Sequence, residues 1–397
     1  MSVNLPPLRL KKGEERRIRH GHPWVYSNQI DTAATPLSGF EPGQLVRVHD
    51  ARDALLGIAY VNPHSLICAR MLTRDTGSSV DAYLFGKRLR AALALRERLY
   101  SEPYYRLVFG ESDGLPGLVL DRYGSTLVGQ IATAGMEALR PMIEEAVAEV
   151  IAPENLVWRN AGGVRGMENL PEYVEAGIGE VPGHIEAREG GLRFRIEFAH
   201  AQKTGWFYDQ HANRELFARY ARGARVLDVF AYLGGWGLRA AATFADKVIC
   251  VDSSLPACEG IEANAALNDV SDKVDTLHAD AFDALKALRD DGEQFDVIVL
   301  DPPAFIKRRK DHAAGLVAYK RLNQQALRLL APGGLLVTCS CSHHLPEEEL
   351  MHVVHEATSR AGRSASILAR LQQGPDHPLH PAIVETGYLK GLICSVA

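Results

Sequence analysis

At 397 residues, with 46% hydrophobic and 23% charged residues, the chain has ordinary globular composition and length enough for two or three domains. Its longest apolar runs, such as Val297–Leu300 and Leu335–Val337, fall far short of the ~20 residues that cross a bilayer, so no membrane-spanning helix is expected. A net charge of −5 excludes a uniformly basic coat for nucleic acid but not local patches: six Lys/Arg stand against two Glu in Met1–His22, and Lys307-Arg308-Arg309-Lys310 forms a second cluster.

The first twenty residues, MSVNLPPLRLKKGEERRIRH, are polar and lack the apolar centre of a secretory leader, so a cytoplasmic protein is expected. The six cysteines (Cys68, Cys250, Cys258, Cys339, Cys341, Cys394) form no CxxC pair and no zinc-type cluster. Neither a disulfide framework nor a metal site is expected, and most of the thiols should be reduced core residues.

In chain order, short β-type runs come first: Gln44–His49, Leu55–Tyr60 and Leu66–Leu72, separated by Gly, Pro, Asp and Asn. Residues 1–74 therefore read as a small β-rich module. From Asp81 to Tyr100, Leu84, Leu89, Ala92, Leu93 and Leu95 recur at helical spacing, which predicts an amphipathic helix. Strands at Leu107–Gly110, Gly117–Asp121 and Thr126–Ile131 and a helix over Glu137–Ile151 make a second, α+β domain over 75–182. A hairpin turning at Gly190-Gly191 opens a third domain, 183–397. Beyond Arg225, strands at Val226–Val229, Val248–Val251, Val274–His278, Val297–Leu300 and Leu335–Cys339 alternate with helices, the pattern of an α/β fold with a parallel sheet.

In such sheets ligands bind outside the carboxyl ends of the strands, and here those ends carry acids. Asp228 leads into AYLGGWG, where Gly234, Gly235 and Gly237 let the backbone approach a ligand. Asp252, followed by Ser253, can accept hydrogen bonds from a ribose diol, and to this point NAD would serve equally well. Asp280-Ala281-Phe282 then offers an acid and a ring to an adenine, and Asp301-Pro302-Pro303-Ala304-Phe305 closes the fourth strand with a turn of no evident use to a dehydrogenase. In order and spacing the four sites match the motifs of class I S-adenosylmethionine (SAM)-dependent methyltransferases.

The whole chain resembles the bacterial and archaeal large-subunit rRNA cytosine-C5 methyltransferases that carry an N-terminal PUA domain. The likeness rests on GHPWVY (Gly21–Tyr26), ESDGLPGLVLDRY (Glu111–Tyr123), KTGWFYDQHANR (Lys203–Arg214), DVFAYLGGWG (Asp228–Gly237), DPPAF (Asp301–Phe305), SCS (Ser340–Ser342), and DHP with GYLKG near the C-terminus. It implies an N-terminal PUA-like barrel, a central α+β domain and a Rossmann-like domain with a seven-stranded, mostly parallel sheet. It also implies that Lys203, Tyr208, Asp209, Gln210 and Phe230 join the SAM pocket. His211 stands where the family usually has Arg, and Ala304 where Lys is frequent.

Carbon-5 of cytosine is too weak a nucleophile to take a methyl group unaided, and a thiolate added at C6 turns it into an enamine carbon that can. The run LLVTCSCSHH offers two cysteines; strand alternation sets Cys339 and Cys341 on one face, with Cys341 nearer the open end. Cys341, which aligns with the cysteine of SCS, is the expected nucleophile and Cys339 a packing residue. Asp301 is the group expected to hold the cytosine amino group or N3. His343 and His344 read as solvated histidines rather than bases. Large-subunit rRNA is the expected partner, met by Arg16, Arg17, Arg19 and the Lys307–Lys310 cluster, with Trp24 and Tyr26 either stacking bases or packing in the core; a homodimer is left open. The competing readings are methylation of guanine N2 or an adenine amino group, which needs no cysteine, an RNA-binding assembly factor without catalysis, and a small-molecule methyltransferase.

Overall fold

The computed structural model describes residues 5–397; the first four residues of the polar N-terminal stretch lie outside them. The chain folds as two compact units. The first runs to Pro182 and takes in Gln202–Gly205 and Pro375–Thr386; the second holds Gly183–Ala201, Trp206–Gly374 and Gly387–Ala397. No helix among the described residues is long and apolar enough to cross a membrane.

The first unit contains two five-stranded sheets. One orders its strands Pro7–Arg9, Gln44–His49, Leu55–Val61, Ala69–Thr73 and Trp24–Val25; the other, Tyr173–Ile178, Asn155–Asn160, Thr126–Ile131, Leu118–Tyr123 and Tyr104–Phe109. The amphipathic helix lies at Ala82–Leu99, with the Asp81 carboxylate accepting from the Leu84 amide at its start. The second expected helix is divided: Ala134–Ala138 ends at Leu139, and Arg140–Val150 restarts with Pro141 in its first turn, the position that tolerates a missing N–H. Tyr60 and Leu72 of the first sheet share a core with Phe85, Leu118 and Trp158, so the sheets are held by one apolar cluster. Buried Asp376 accepts from the Arg106 amide at 2.9 Å while its carbonyl accepts from Arg96 at 2.8 Å, which fastens Pro375–Thr386 to this unit.

The second unit is built on strands β1 (Arg225–Val229), β2 (Lys247–Asp252), β3 (Val274–His278), β4 (Phe295–Leu300), β5 (Leu330–Ser340), β6 (Ala365–Gln372) and β7 (Lys390–Val396). They lie in the order β3-β2-β1-β4-β5-β7-β6. The first five are mutually parallel and β7 is antiparallel to both its neighbours. The connecting helices are α1 (Gly235–Ala242), α2 (Leu255–Leu267), α3 (Ala281–Asp290), α4 (His312–Leu329) and α5 (Glu347–Arg360). The near-continuous apolar runs of β1 and β4 follow from burial on both faces, since Leu227, Val229, Ile298 and Leu300 all belong to the core. β5 starts five residues before its expected beginning at Leu335, running through Ala331-Pro332-Gly333-Gly334.

Ahead of β1, strands His184–Glu189 and Leu192–Glu197 form the hairpin predicted at Gly190-Gly191. α2 covers it: the Asn264 and Asn268 side chains accept from the Arg195 and Arg193 amides (2.7 and 2.9 Å) and donate back to the same residues' carbonyls, satisfying the hairpin's edge as a strand would. Glu189 at the turn meets Arg214 in a bidentate pair, both contacts 2.6 Å, and both side chains are buried. Burial alone would raise the Glu189 pKa, but the Arg214 charge and hydrogen bonds outweigh it and hold the carboxyl below its ordinary value. Replacing Arg214 with Leu leaves that carboxylate buried without its counter-charge, with the Trp206 indole N–H still donating to it at 3.1 Å, and should cost about 3–5 kcal/mol, read as a lower urea midpoint. A depressed pKa stabilises the fold above the unfolded-state value, so the wild type's advantage over Arg214→Leu should shrink as pH falls through the carboxylate range.

Candidate active site

The loop after β1 gathers several residues in left-handed backbone. Phe230 (φ 67°), Tyr232 (φ 51°) and Gly234 (φ 81°) all lie in the left-handed region, which is uncommon for aromatic residues and concentrates at functional sites. The buried Asp228 carboxylate holds this loop by accepting from the Gly237 amide at 2.9 Å. Gly237 has no room for a side chain, since a Cβ would run into Cys250 Sγ. Gly235 is buried at the start of α1. The other oxygen of Asp228, Oδ1, is buried without a hydrogen-bond partner. Burial, aided by the charges of Asp301 and Asp252 and opposed by the Gly237 amide, raises the Asp228 pKa to about 7.

The remaining strand-end acids differ in their duties. Asp252 accepts from the Tyr232 and Ser254 amides, both at 2.9 Å, and so ties the loop after β1 to the turn after β2; Ser253 beside it is exposed. Asp280 caps α3 through the Phe282 and Asp283 amides. Ala281 is buried, and the Phe282 ring lies 4.6 Å from the Arg321 guanidinium. Asp301 accepts from Gln210 Nε2 at 3.0 Å on each oxygen and from Trp236 Nε1 at 3.0 Å. Burial raises its pKa to about 6, with the Trp236 and Gln210 bonds opposing and the Asp209 charge assisting.

Of the sequence-predicted residues, the structure brings Asp209, Gln210, Asp228, Asp252 and Asp301 into electrostatic or hydrogen-bond contact with one another. Tyr208 and Pro302 are buried beside them in the chain. Asp209 accepts from the Tyr388 hydroxyl at 2.5 Å. Lys203 is exposed, has φ 48°, and falls in the Gln202–Gly205 segment grouped with the first unit. His211 begins the helix His211–Phe217, and Ala304 is half-buried.

β5 ends at Ser340, so Cys341 opens the turn beyond the strand instead of closing it. Five of the six cysteines are buried and Cys341 alone is partly exposed. Its thiol points to the Pro302 carbonyl, with Sγ 3.9 Å from the oxygen. The two flanking serines are buried and bonded to one group: the Tyr319 hydroxyl of α4 lies 2.8 Å from both Ser340 Oγ and Ser342 Oγ, and Ser342 Oγ also accepts from the Ile306 amide. This hub locks the SCS turn to the loop that carries Asp301. Cys339 is fully buried and its thiol pKa is pushed well up by burial. His343 is exposed and His344 half-buried, their rings 5.9 Å apart.

Of the basic residues, Lys307, Arg308, Arg309 and Lys310 are all exposed, with Arg308 paired to Asp311 at 3.0 Å. Arg16, Arg17 and Arg19 are exposed on the helix Glu15–Arg19; Arg19 reaches Asp50, and Arg17 lies over the Tyr26 ring. Trp24 donates its indole N–H to Glu111 at 2.7 Å, which ties it into the first unit.

Sequence reasoning passed over Trp236, Asn213, Tyr319, Tyr388 and Lys390. Tyr388 and Lys390 sit inside GYLKG, and Trp236 inside the glycine loop, so the motifs contained them without indicating their contacts. Among the described residues no group of His, Cys, Asp and Glu could hold a metal ion. The donor set fits SAM: an unpartnered buried carboxylate oxygen at Asp228, further acids at the ends of β2 and β4, and a backbone loop kept close by glycine suit a ligand with sulfonium and ammonium charges, a ribose and an adenine.

A PUA-like domain family matches residues 8–74, and a family described as S-adenosylmethionine-dependent methyltransferase matches residues 172–393. Over 395 residues the chain is 36% identical to the ribosomal RNA large subunit methyltransferase I of Photobacterium profundum, covering 98% of each. It is 37% identical over 398 residues to the protein of the same name from Shewanella denitrificans, covering 98% of this chain and 99% of that one. A chain assigned as a SAM-dependent methyltransferase from Streptococcus mutans has the same fold at a TM-score of 0.81 and 20% identity, over 98% of this chain and 100% of that one. With the SAM-type sheet, its acidic strand ends and these relatives together, the chain belongs to the S-adenosylmethionine-dependent methyltransferases, in the family of the ribosomal RNA large subunit methyltransferase I proteins.

Proposed function

We propose that the protein methylates carbon-5 of a cytosine in large-subunit ribosomal RNA, with Cys341 as the nucleophile. The observation that carries this reading is the one partly exposed thiol of the chain, held at the carboxyl edge of the sheet against the Asp301-Pro302 turn. The relatives' names supply the RNA class, and the PUA-like region agrees with an RNA partner. Nothing in these relatives supports a homodimer. A cytoplasmic setting accords with such a substrate, and the division at residues 74 and 182 into PUA-like, central and methyltransferase domains is part of the same proposal.

When bound, SAM supplies an electrophilic methyl group on a sulfonium. Asp228, Asp252 with Ser253, the Phe230–Gly235 loop, Asp280, Ala281 and Phe282 would hold it, with Tyr208, Asp209, Gln210 and Pro302 beside them. The Cys341 thiolate forms a bond to C6 of the cytosine, which moves the C5–C6 π pair onto C5 and makes that carbon nucleophilic. Asp301, its pKa near 6, hydrogen-bonds N3 or the amino group and stabilises the adduct as N3 takes up a proton. Once C5 carries the methyl group, loss of H5 as a proton leaves the C5–H pair to re-form the C5–C6 double bond, the S–C6 pair departs with sulfur as thiolate, and N3 gives its proton back. Methylation of guanine N2 or an adenine amino group would leave Cys341 without a role.

Incubation with labelled SAM and unmodified rRNA, followed by nucleoside analysis, should give 5-methylcytidine. Cys341→Ala should lower the turnover about a thousandfold or more while SAM binding persists. Label in another nucleoside, or full activity without Cys341, would sink the mechanism; no transfer to any RNA would favour an assembly factor. SAM affinity, followed by calorimetry, should tighten as pH rises through the ranges of Asp301 (about 6) and Asp228 (about 7). Both carboxyls keep their protons to unusually high pH, and only the ionised forms attract a cation. Replacing Lys307, Arg308, Arg309 and Lys310 with Ala should weaken rRNA binding and flatten its salt dependence without altering SAM affinity.

A further inference from the structure

Lys390 lies at the start of β7, its Cα paired across the sheet with that of Ser340 at the end of β5. From there its half-buried side chain reaches the turn that carries Cys341. Nζ donates to the Ser342 carbonyl at 2.7 Å and to the Leu345 carbonyl at 2.9 Å, so it bridges the stretch just past the thiol. Both acceptors are neutral, and no carboxylate pairs with this ammonium among the described residues. An ammonium drawn out of water without a counter-ion is costly, and such a group is usually paired.

We propose that Lys390 is a positioning residue for the methylation reaction: it clamps the turn after β5 and supplies the fixed positive charge that stabilises the Cys341 thiolate. The inference rests on the reading of Cys341 as nucleophile. Burial draws the Lys390 pKa below its usual value, and the negative charge of Cys341 pulls it back up. That attraction is mutual, since a cation that gains from a thiolate lowers the cost of forming it.

Neither Tyr319 nor Cys339 supplies such a charge. Tyr319, from α4, has its pKa raised by burial with Cys341 contributing to the rise, and Cys339, two residues earlier, is likewise kept neutral. Asp301 heads the loop whose Pro302 carbonyl faces Cys341 and carries no positive charge in either state. His343 and His344 follow in the chain, His343 on the exposed surface. In the step itself the Cys341 S–H proton passes to solvent and the sulfur electron pair is retained for C6. Lys390 keeps its own proton throughout.

The test uses the full-length protein and reads alkylation of Cys341 by iodoacetamide, by peptide mass spectrometry, as a function of pH. Lys390→Met should move the alkylation midpoint upward by roughly one pH unit, a fall of about tenfold in rate at neutral pH. Lys390→Arg should restore it. Methyl transfer by Lys390→Met should fall in parallel at neutral pH and recover in alkaline solution, with the KM for SAM unchanged. An unshifted alkylation profile in Lys390→Met overturns the proposal, as does an activity loss equal at every pH. Should Lys390→Met fail to fold, Lys390→Gln carries the same comparison. The nucleophile reading fails on a different result: full methylation by Cys341→Ala, whatever the alkylation profile shows.

Discussion

The second unit is organised around a carboxylate that the fold buries near the end of an interior strand. Asp228 lies in the middle of the seven-stranded sheet, where both faces are covered and water cannot satisfy it. One oxygen takes the Gly237 amide and the other has no partner, so the group carries a desolvation penalty visible in a pKa near 7. The loop that bends back to offer that amide must pass through left-handed backbone at Phe230, Tyr232 and Gly234, and Asp252 steadies it through the Tyr232 amide. Strain and an unsatisfied carboxylate are stability losses that a merely structural turn has no reason to bear. A cationic ligand bound beside them would offset both, which is the physical sense in which the proposed SAM site is preformed.

The second centre of organisation is the Tyr319 hydroxyl. It joins the two serines of the SCS turn, and Ser342 in turn holds the backbone of Ile306, four residues past Pro302. The cysteine and the Asp-Pro-Pro turn come from different strands, β5 and β4, yet they are coupled through a buried network with little freedom to drift apart. That leaves Cys341 as the accessible member of a rigid assembly, with buried hydroxyls on each side of it.

Much of this was legible because parallel strands leave apolar runs and end in polar residues. Val274–His278 and Gln44–His49 match their expected bounds, while β1, β2 and β4 begin one or two residues early, at Arg225, Lys247 and Phe295, where a charged residue interrupts or precedes the run. Strands Asn155–Asn160 and Tyr173–Ile178 were passed over, since Trp158 and Arg159 or Glu175 break the simple alternation. The acids of the site were visible for the same reason as the strands. Their partners were not: Gln210 meets Asp301 from 91 residues away and Tyr388 meets Asp209 from 179, and no local periodicity encodes such a meeting. The grouping of Pro375–Thr386 with the first unit depends likewise on Asp376 finding Arg96 and Arg106 far back in the chain.

The mean charge of the chain conceals a sharp local gradient. Asp301 is enclosed by Gln210 and Trp236, and a few residues later Lys307–Lys310 stands in solvent with four basic side chains, one of them tempered by Asp311. A sulfonium is attracted to the first end of that segment and repelled by the second; a phosphate backbone responds in the opposite sense. The anionic end is buried, where Coulomb attraction is weakly screened and geometry can be held. The cationic end is exposed, where it acts at longer range and yields to salt. In the proposed reaction a single loop would therefore sort the two reactants by charge before any base is read, and the thiol that would activate the cytosine lies against the loop's anionic end.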